Sequence, residues 1–183
     1  MRIISGFLGG RKLLPPAKKW PTRPTTDFAR EGLFNILQNK IDFSTSVMLD
    51  LFGGTGSHSF EFISRGCSNV TYVDQFKGCV DFVSKTAREW NVEDYIQIVK
   101  NDVFRFIAST PQQYTYIFAG PPYPLKNLDE IPSKIFQHRI LDLEGIFVLE
   151  HNPNHSFTHE RHFLFARNYG TTIFSFFSEH LRN

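Results

Sequence analysis

One glycine-rich segment constrains the fold of this chain more than any other part of the sequence. The apolar residues 47–49 lead directly into Asp50-Leu-Phe-Gly-Gly-Thr-Gly56, and the residues from Ser57 onward predict a helix. A strand, a glycine-rich turn and a helix in this order form the ligand-binding corner of a doubly wound α/β domain. Glycine suits such a turn because it lets the backbone approach a ligand closely.

A second strand, predicted over residues 70–74, supports a ligand site at this corner. It ends in Asp74, about twenty residues after the glycines, where an acid can accept hydrogen bonds from both hydroxyls of a ribose. Gly53, Gly54 and Gly56 have the spacing G-G-x-G, whereas the dinucleotide fingerprint is G-x-G-x-x-G. The corner therefore favours a nucleoside ligand without a pyrophosphate over NAD.

The remaining sequence alternates predicted strands and helices, which indicates a mostly parallel sheet with helices on both faces. After residues 47–49 and 70–74, strands are predicted at 95–99, 114–119 and 145–150, and helices at 26–38, 57–65, 77–89, 103–109 and 130–139. Residues 163–167 and 171–177 flank Asn168-Tyr169-Gly170, a hairpin signal. The predicted fold class is thus α/β: a doubly wound, Rossmann-like sheet with an antiparallel C-terminal hairpin.

The N-terminal segment differs from the rest in composition and charge. Residues 2–6 and 11–14 predict a small β-hairpin, and prolines then predict an extended linker, so we divide the chain into an arm, 1–25, and an α/β domain, 26–183. Residues 1–30 contain seven Lys and Arg against Asp27 alone, a charge of +6, so the other 153 residues sum to −4 within a net charge of +2. This asymmetry predicts contact with a polyanion, although a solvated basic tail would have the same composition. The predicted RNA-contacting residues are Arg11, Lys12, Lys18, Lys19, Arg23 and Arg30.

Composition narrows the class of protein further. With 41% hydrophobic and 21% charged residues, the 183-residue chain is typical of a globular domain. The sequence has no apolar run of about 18 residues, and its two cysteines form no disulfide framework or ligand spacing. Four histidines lie within residues 151–162, but Pro153 favours a loop there. We therefore expect a cytoplasmic monomer without a metal site or a membrane partner.

The predicted strands end in residues suited to binding, and in a parallel sheet these ends meet in one crevice. Asp50 and the glycine backbone would hold an amino-acid-like group, and Asp74 would accept from ribose hydroxyls. Asp102 and the Val103 N–H would contact adenine. This combination predicts S-adenosylmethionine, with a cofactor site made of Asp50, Phe52, Gly53, Gly54, Thr55, Gly56, Asp74, Gln75, Asp102 and Val103.

The segment Gly120-Pro-Pro-Tyr123 supplies the predicted catalytic residues, Gly120, Pro121, Pro122 and Tyr123. Two prolines remove two backbone donors and stiffen the turn, so the carbonyls between them point at a fixed place. A flat polar ligand can lie against Tyr123 and donate its amino hydrogens to those carbonyls. In isolation, a proline turn that merely ends a strand would explain the same residues.

Several motifs together resemble the RsmD-type 16S ribosomal RNA guanine-N2 methyltransferases, a class I S-adenosylmethionine-dependent family. The matching pieces are Met1-Arg-Ile-Ile-Ser-Gly6, Gly10-Arg-Lys-Leu13, Thr22-Arg-Pro-Thr25, Arg30-Glu31, Leu33-Phe-Asn-Ile-Leu37, Asp50–Gly56, Ser64-Arg-Gly66 and Pro121-Pro-Tyr123. The resemblance implies a seven-stranded sheet with a reversed last strand. It also implies methylation of the exocyclic N2 of one guanine, at position 966, in 16S rRNA or a small-subunit assembly particle.

The chain departs from this family pattern at Gly120, where the family has Asp, or Asn or Ser in relatives. That side chain is implied to accept a hydrogen bond from the target amine, so we expect slow turnover and its recovery in Gly120→Asp. His58 is a lesser departure, since that position is usually small or apolar. Relatives with the Pro-Pro-Tyr turn also methylate adenine N6 in DNA or a protein glutamine, and a non-catalytic RNA-binding relative is a further alternative.

Overall fold

The computed structural model describes residues 1–16, 20 and 25–180. The helices are α1 (Asp27–Leu37), α2 (Ser57–Ser64), α3 (Lys77–Glu89), α4 (Val103–Ser109) and α5 (Ile131–Gln137), with 3-10 turns at Phe43–Thr45, Glu93–Tyr95 and Leu128–Glu130. The strands are β1 (Met48–Leu51), β2 (Val70–Asp74), β3 (Ile96–Lys100), β4 (Tyr114–Ala119), β5 (Leu141–His151), β6 (Phe163–Tyr169) and β7 (Thr172–Phe177).

The seven strands form one sheet in the order β3-β2-β1-β4-β5-β7-β6. The strands from β3 to β5 pair in parallel, and β7 pairs antiparallel with both β5 and β6. The predicted doubly wound sheet with an antiparallel C-terminal hairpin is therefore confirmed. The strand order reverses between β1 and β4, and in sheets of this kind ligands bind at the carboxyl ends of the strands beside such a reversal.

Two apolar layers, one on each face of the sheet, explain why the central strands are apolar throughout. Met48 and Tyr72 point into the layer that contains α1, α2 and α3, whereas Leu49 and Val73 point into the layer that contains α4 and α5. Every residue of β1 and β2 is buried. Parallel strands covered by helices on both faces show such continuous apolar runs.

The element boundaries differ from prediction mainly near the C-terminal half. Helix α5 ends at Gln137, two residues early, because Arg139 adopts a φ of 53° and cannot continue the helix. Strand β5 begins at Leu141, four residues early, since Leu141 already pairs with Tyr114 before an irregularity in the register. The β6–β7 turn consists of Gly170 and Thr171, so it lies one to two residues later than predicted.

The N-terminal segment forms the predicted pairing, but as a single bridge rather than two strands. Arg2 pairs with Lys12, the Ile3 N–H donates to the Arg11 carbonyl (2.9 Å), and the Leu13 N–H donates to the Met1 carbonyl (3.0 Å). Ile3, Leu8 and Leu13 are buried in the same apolar layer as α1 and α2, as part of the sheet's own core.

Gly6 lies where the N-terminal segment crosses the end of α2. It has a φ of 82°, and a Cβ at this position would lie 1.8 Å from the Ser64 carbonyl oxygen. The next two residues bind the same helix end, because the Phe7 N–H donates to the Ser64 carbonyl and the Leu8 N–H to the Ser64 Oγ, each at 2.9 Å. Only glycine fits this crossing.

Glu61, a fully buried acid on α2, connects the N-terminal segment to the rest of the fold. Its carboxylate accepts the N–H groups of Ile4 (2.7 Å) and Ser5 (3.1 Å) and the Nε of Arg65 (2.9 Å). The Nη2 of Arg30 on α1, also buried, lies 3.5 Å from Glu61 Oε2. One carboxylate thus balances a buried guanidinium and accepts two backbone N–H groups of the N-terminal segment.

In the described ranges, 1–16, 20 and 25–180, the structure contains no helix with the length and apolar character of a membrane span.

We predict that Glu61→Ala lowers the free energy of unfolding by about 3–5 kcal/mol, because it leaves the buried Arg30 guanidinium with only the half-exposed Asp27, 3.3 Å from its Nη1, as an acidic partner. Urea denaturation measures this loss. Glu31→Ala is the matched control: Glu31 also pairs with the N-terminal segment, at 3.0 Å from Arg2, but both side chains are exposed, so we expect a loss below about 1 kcal/mol. Equal losses in the two variants would contradict the central role of Glu61.

Candidate active site

A cavity of about 310 Å³ opens at the carboxyl ends of β1, β4 and β5. This volume lies at the lower end of the range for small-molecule sites, about 300–1,000 Å³. The wall combines the glycine-rich loop, the proline turn and the N-terminal part of the chain. The lining residues are Met1, Thr25, Asp50, Phe52, Gly53, Gly54, Thr55, Ser57, His58, Phe118, Gly120, Pro121, Pro122, Tyr123, Pro124 and Glu150.

The glycine-rich loop is held in place from the neighbouring strand β2. The ring of Tyr72 packs so closely under the loop that a Cβ on Gly53 would lie 2.3 Å from it. The Tyr72 hydroxyl donates to the Gly54 carbonyl at 2.7 Å, and the Gly54 N–H donates to Asp74 Oδ2 at 2.9 Å. The loop backbone is therefore fixed before any ligand arrives.

Phe52 stands at the start of this loop in an unusual conformation. Its φ is 57°, in the left-handed region that bulky residues seldom adopt, and such conformations cost about 1–3 kcal/mol and occur at ligand sites. Its ring lines the cavity and meets Phe104 of α4 edge to face, with 6.4 Å between ring centroids. Phe52 thus connects the cavity with the carboxyl end of β3, where α4 begins.

Asp50 brings a buried carboxyl group to the floor of the cavity. Its Oδ2 accepts from the hydroxyl of Ser59 (2.6 Å) and from the Ser59 N–H (3.2 Å) in α2. Burial raises the pKa of Asp50 to about 7, against the opposing effect of these hydrogen bonds, and nearby Asp74 raises it further. Near neutral pH this group can therefore change its charge in response to a cationic ligand.

Aromatic rings form the cavity wall below the proline turn. Phe118 lies under Gly120, since a Cβ on Gly120 would be 3.2 Å from that ring. The imidazole of His58 stacks on Phe118, with centroids 3.9 Å apart, and its Nε2 lies 3.0 Å from the Tyr116 hydroxyl. Burial lowers the pKa of His58 well below its ordinary value, so its imidazole is neutral. A neutral ring explains how this aromatic layer tolerates a histidine.

Tyr123 is oriented by polar contacts from two other strands. Its hydroxyl donates to Glu150 Oε1 of β5 at 3.3 Å and lies 3.4 Å from the Thr172 hydroxyl of β7. The other oxygen of Glu150 accepts from the Thr25 hydroxyl at 2.6 Å. The sequence predicts Tyr123 as a site residue but not Met1, Thr25, His58 or Glu150, which also line the cavity. Glu150 gave a usable signal, since it is a further acid at the end of a predicted strand.

Among the predicted cofactor residues, those of the loop line the cavity, whereas those after β2 and β3 do not. The residues outside its lining are Gly56, Asp74, Gln75, Asp102 and Val103. Both Asp74 oxygens accept backbone N–H groups, from Gly54 (2.9 Å) and Phe76 (2.8 Å). Asp102 caps α4, because its Oδ1 accepts from the Arg105 N–H at 3.0 Å. Each carboxylate can accept further hydrogen bonds, so these residues stay predicted ligand contacts along the same sheet edge.

The structure separates the predicted RNA-contacting residues into three groups. Arg11 and Lys12 are exposed. Lys18, Lys19 and Arg23 lie outside the described residues. Arg30 is only 2% exposed, and its Nη1 donates to the Arg2 carbonyl at 2.9 Å in addition to the Glu61 pair. The prediction that Arg30 grips a phosphate is therefore wrong, because its positive charge is used inside the protein.

Within the part of the chain that the structure describes, there is no cluster of three or more His, Cys, Asp or Glu that could hold a metal ion.

Comparison with known proteins identifies the family. The model of the family described as conserved hypothetical protein 95 matches residues 1–178. The chain belongs to this family. It is 32% identical over 83% of its length to YlbH of Bacillus subtilis, which carries a provisional description as an rRNA methyltransferase and is itself covered to 83%. It is also 30% identical to ribosomal RNA small subunit methyltransferase D of Escherichia coli, over 82% of this chain and 74% of that protein. The resemblance to RsmD-type methyltransferases is thereby confirmed.

Solved structures agree on the fold. A hypothetical protein of Thermus thermophilus superimposes with a TM-score of 0.84 at 22% identity, covering 97% of this chain and 99% of that one. A structure described as a SAM-dependent methyltransferase from Agrobacterium tumefaciens superimposes with a TM-score of 0.62 at 18% identity, covering 82% and 62%. At these identities the comparison shows that the chain has the Rossmann-like methyltransferase fold.

We predict that Asp50→Asn changes how stability depends on pH. With the Asp50 pKa raised to about 7, the folded protein holds a proton that the unfolded chain, with a carboxyl pKa of about 3.9, has released. The contribution of Asp50 to the free energy of unfolding therefore falls as pH rises from about 5 to about 7 and is constant above about 8. Urea unfolding should show wild type losing stability relative to Asp50→Asn across this window.

Asp81→Asn serves as the control, because Asp81 is an exposed carboxyl on α3. We expect no trend relative to wild type above about pH 5. If the difference in stability between wild type and Asp50→Asn is also constant with pH, the result contradicts a raised Asp50 pKa.

Proposed function

We propose that this protein is an S-adenosylmethionine-dependent RNA methyltransferase that methylates the exocyclic N2 of a guanine in 16S rRNA, at the position numbered 966. One observation carries the proposal: the glycine-rich loop and the proline turn face the same cavity. They begin side by side, because Leu51 pairs with Ala119 and the Gly120 N–H donates to the Leu51 carbonyl at 3.1 Å. The names of the relatives support rRNA as the substrate.

The donor set of the cavity suits the amino-acid end of this cofactor. Asp50 offers a carboxylate for an ammonium group, and the closely packed loop at Gly53 and Gly54 leaves its backbone open to a ligand. Asp74 and Asp102, one strand and two strands further along the edge, would take the ribose and the adenine. When bound, S-adenosylmethionine supplies an electrophilic methyl group.

The proline turn would hold the target base on the opposite side of the cavity. Pro121, Pro122 and Pro124 have no backbone N–H that would compete with an amine donor. The Pro122 carbonyl accepts from the Leu125 N–H at 2.9 Å, which closes the turn. Tyr123 offers a ring for stacking, and its hydroxyl contacts limit how far it can rotate. Positioning of this kind can lower a barrier by about 7–11 kcal/mol. Extraction of the base from its stack costs a few kcal/mol, which stacking on Tyr123 would partly offset.

The decisive experiment uses 16S rRNA from a bacterial strain in which the corresponding gene is deleted. We expect the protein to transfer labelled methyl groups from S-adenosylmethionine to this RNA, and nuclease digestion followed by mass spectrometry to yield N2-methylguanosine. DNA with adenine targets and a glutamine-containing protein serve as competing substrates. N6-methyladenine or methylglutamine as the product would replace the proposal, and tight RNA binding without methyl transfer would indicate the non-catalytic alternative.

We also predict that the exposed N-terminal cations contribute to RNA affinity. Replacing both Arg11 and Lys12 by Ala should reduce the magnitude of the slope of log affinity against log salt by about 1–2. Each phosphate contact that is lost lowers the number of counterions released on binding by about one. Deletion of the segment would be a poorer test, since it removes Ile3, Leu8 and Leu13 from the core.

The charge-matched control is Lys77→Ala with Lys85→Ala, which removes two exposed cations from α3. We expect cofactor affinity to stay unchanged in both double variants. Equal salt slopes for wild type and the Arg11/Lys12 double variant would show that these cations do not meet RNA.

A further inference from the structure

Glu150 places a carboxylate beside the proline turn, on the side of the cavity assigned to the target base. It lies near the end of β5, one residue after Leu149, which pairs with Ala119 of β4. Gly120 and Glu150 therefore occupy neighbouring positions at the carboxyl ends of two adjacent parallel strands. Glu150 is only 5% exposed, yet it lines the cavity. A carboxylate so enclosed is expected to have a specific use.

The distance to Gly120 indicates what this use is. A Cβ on Gly120 would lie 3.8 Å from Glu150 Oε2. The Glu150 carboxylate thus lies next to the place that a side chain at residue 120 would fill. That missing side chain is the hydrogen-bond acceptor that the family resemblance implies at this place.

We propose that Glu150 is the catalytic acceptor of the target amine, in the role that residue 120 cannot perform. The proposal rests on the proposed methyl transfer to an exocyclic amine. One amine hydrogen would donate to the Glu150 carboxylate, which holds the nitrogen lone pair toward the methyl carbon. The nitrogen forms the new N–C bond with that lone pair, the C–S bond breaks with its electrons kept by sulfur, and the amine proton passes to the Glu150 carboxylate.

The existing contacts of Glu150 hold it ready for this role. Thr25 donates to Oε2 at 2.6 Å and Tyr123 donates to the other oxygen, Oε1, at 3.3 Å. Each oxygen of the carboxylate is thus oriented by a hydroxyl donor from a different part of the fold. Tyr123 would also stack on the base, so the same side chain would set both the plane of the base and the position of the Glu150 carboxylate that accepts its amine.

This role changes the outcome expected for Gly120→Asp. The sequence alone predicts a faster enzyme, and the backbone permits the change, since Gly120 is not among the residues with positive φ. An Asp at this position would, however, bring a second carboxylate next to Glu150. Like charges at such distances disfavour each other, so one of the two groups would keep a proton. We therefore expect Gly120→Asp alone to give no increase in rate.

Single-turnover methylation of unmodified 16S rRNA tests the proposal with matched variants. Glu150→Gln keeps the shape of the side chain but removes its charge, and we expect the rate to fall about 10²–10³-fold with unchanged cofactor affinity. The double variant Gly120→Asp/Glu150→Gln should methylate the RNA at least about tenfold faster than Glu150→Gln alone. A folding defect in Glu150→Gln could not be reversed in this way. Glu144→Gln, at an exposed position on the same strand, should behave as wild type.

A rate for Glu150→Gln within about twofold of wild type would overturn the proposal. So would a failure of the double variant to exceed Glu150→Gln. If wild type itself transfers no methyl group to the RNA, the proposed function fails, and a separate binding measurement then decides whether Glu150 recognises the amine.

The binding measurement compares guanosine with inosine, which lacks the 2-amino group, by ligand-observed NMR in the presence of S-adenosylhomocysteine. We expect wild type to prefer guanosine, and we expect this preference to fall about tenfold or more in Glu150→Gln, as the loss of a charge-assisted hydrogen bond implies. Glu144→Gln should keep the wild-type preference. The same guanosine preference in wild type and Glu150→Gln would show that Glu150 does not contact the amine.

Discussion

The buried carboxylate of Glu61 is the interaction on which the arrangement of this protein depends. It sits on α2, the helix that follows the glycine-rich loop, and it holds the N-terminal segment through two backbone N–H groups. A charge at 0% exposure is costly unless it is paired and hydrogen-bonded. Here Arg30 supplies an opposite charge, and Arg65 and the two backbone N–H groups supply the hydrogen bonds. The helix that follows the glycine-rich loop and lines the cavity thus also fixes the segment predicted to meet RNA.

The candidate active site is built from fixed parts of the sheet edge. Tyr72 and Asp74 brace the glycine loop, and Glu150 and Thr172 hold Tyr123. Because these supports come from β2, β5 and β7, the two halves of the cavity keep their separation through the rigidity of the sheet. A methyl transfer that depends mainly on alignment benefits from a site whose groups need little rearrangement.

The sequence predicted the fold well because its signals are local and agree with one another. The apolar runs, the Gly-rich turn and the Asn168-Tyr169-Gly170 signal each determine one element, and the sheet order follows from known connection rules. The site was predicted in part. Asp50 and Tyr123 belong to recognisable motifs, and Glu150 had a weaker signal as an acid at the end of a predicted strand. Thr25 enters the cavity through a tertiary contact with Glu150 that no local pattern shows.

The error at Arg30 has a similar physical origin. The net charge of a segment includes every arginine, whether or not its side chain reaches the surface. Burial and ion pairing decide whether a guanidinium can contact a partner outside the protein. Glu61, which neutralises Arg30, is 31 residues away in sequence. The charge asymmetry of residues 1–30 therefore overstates the number of cations that can contact RNA.

The contact between Ile4 and Glu61 has a consequence for the order of events during synthesis. The two residues are 57 positions apart, so the ribosome must add 57 residues after Ile4 before its acceptor exists. At about 5–20 residues per second, this takes roughly 3–11 s. The residues around Ile4 thus lack this acceptor until β1 and α2 have been synthesised. The segment predicted to contact RNA therefore completes its contacts only after the glycine-rich loop has been synthesised.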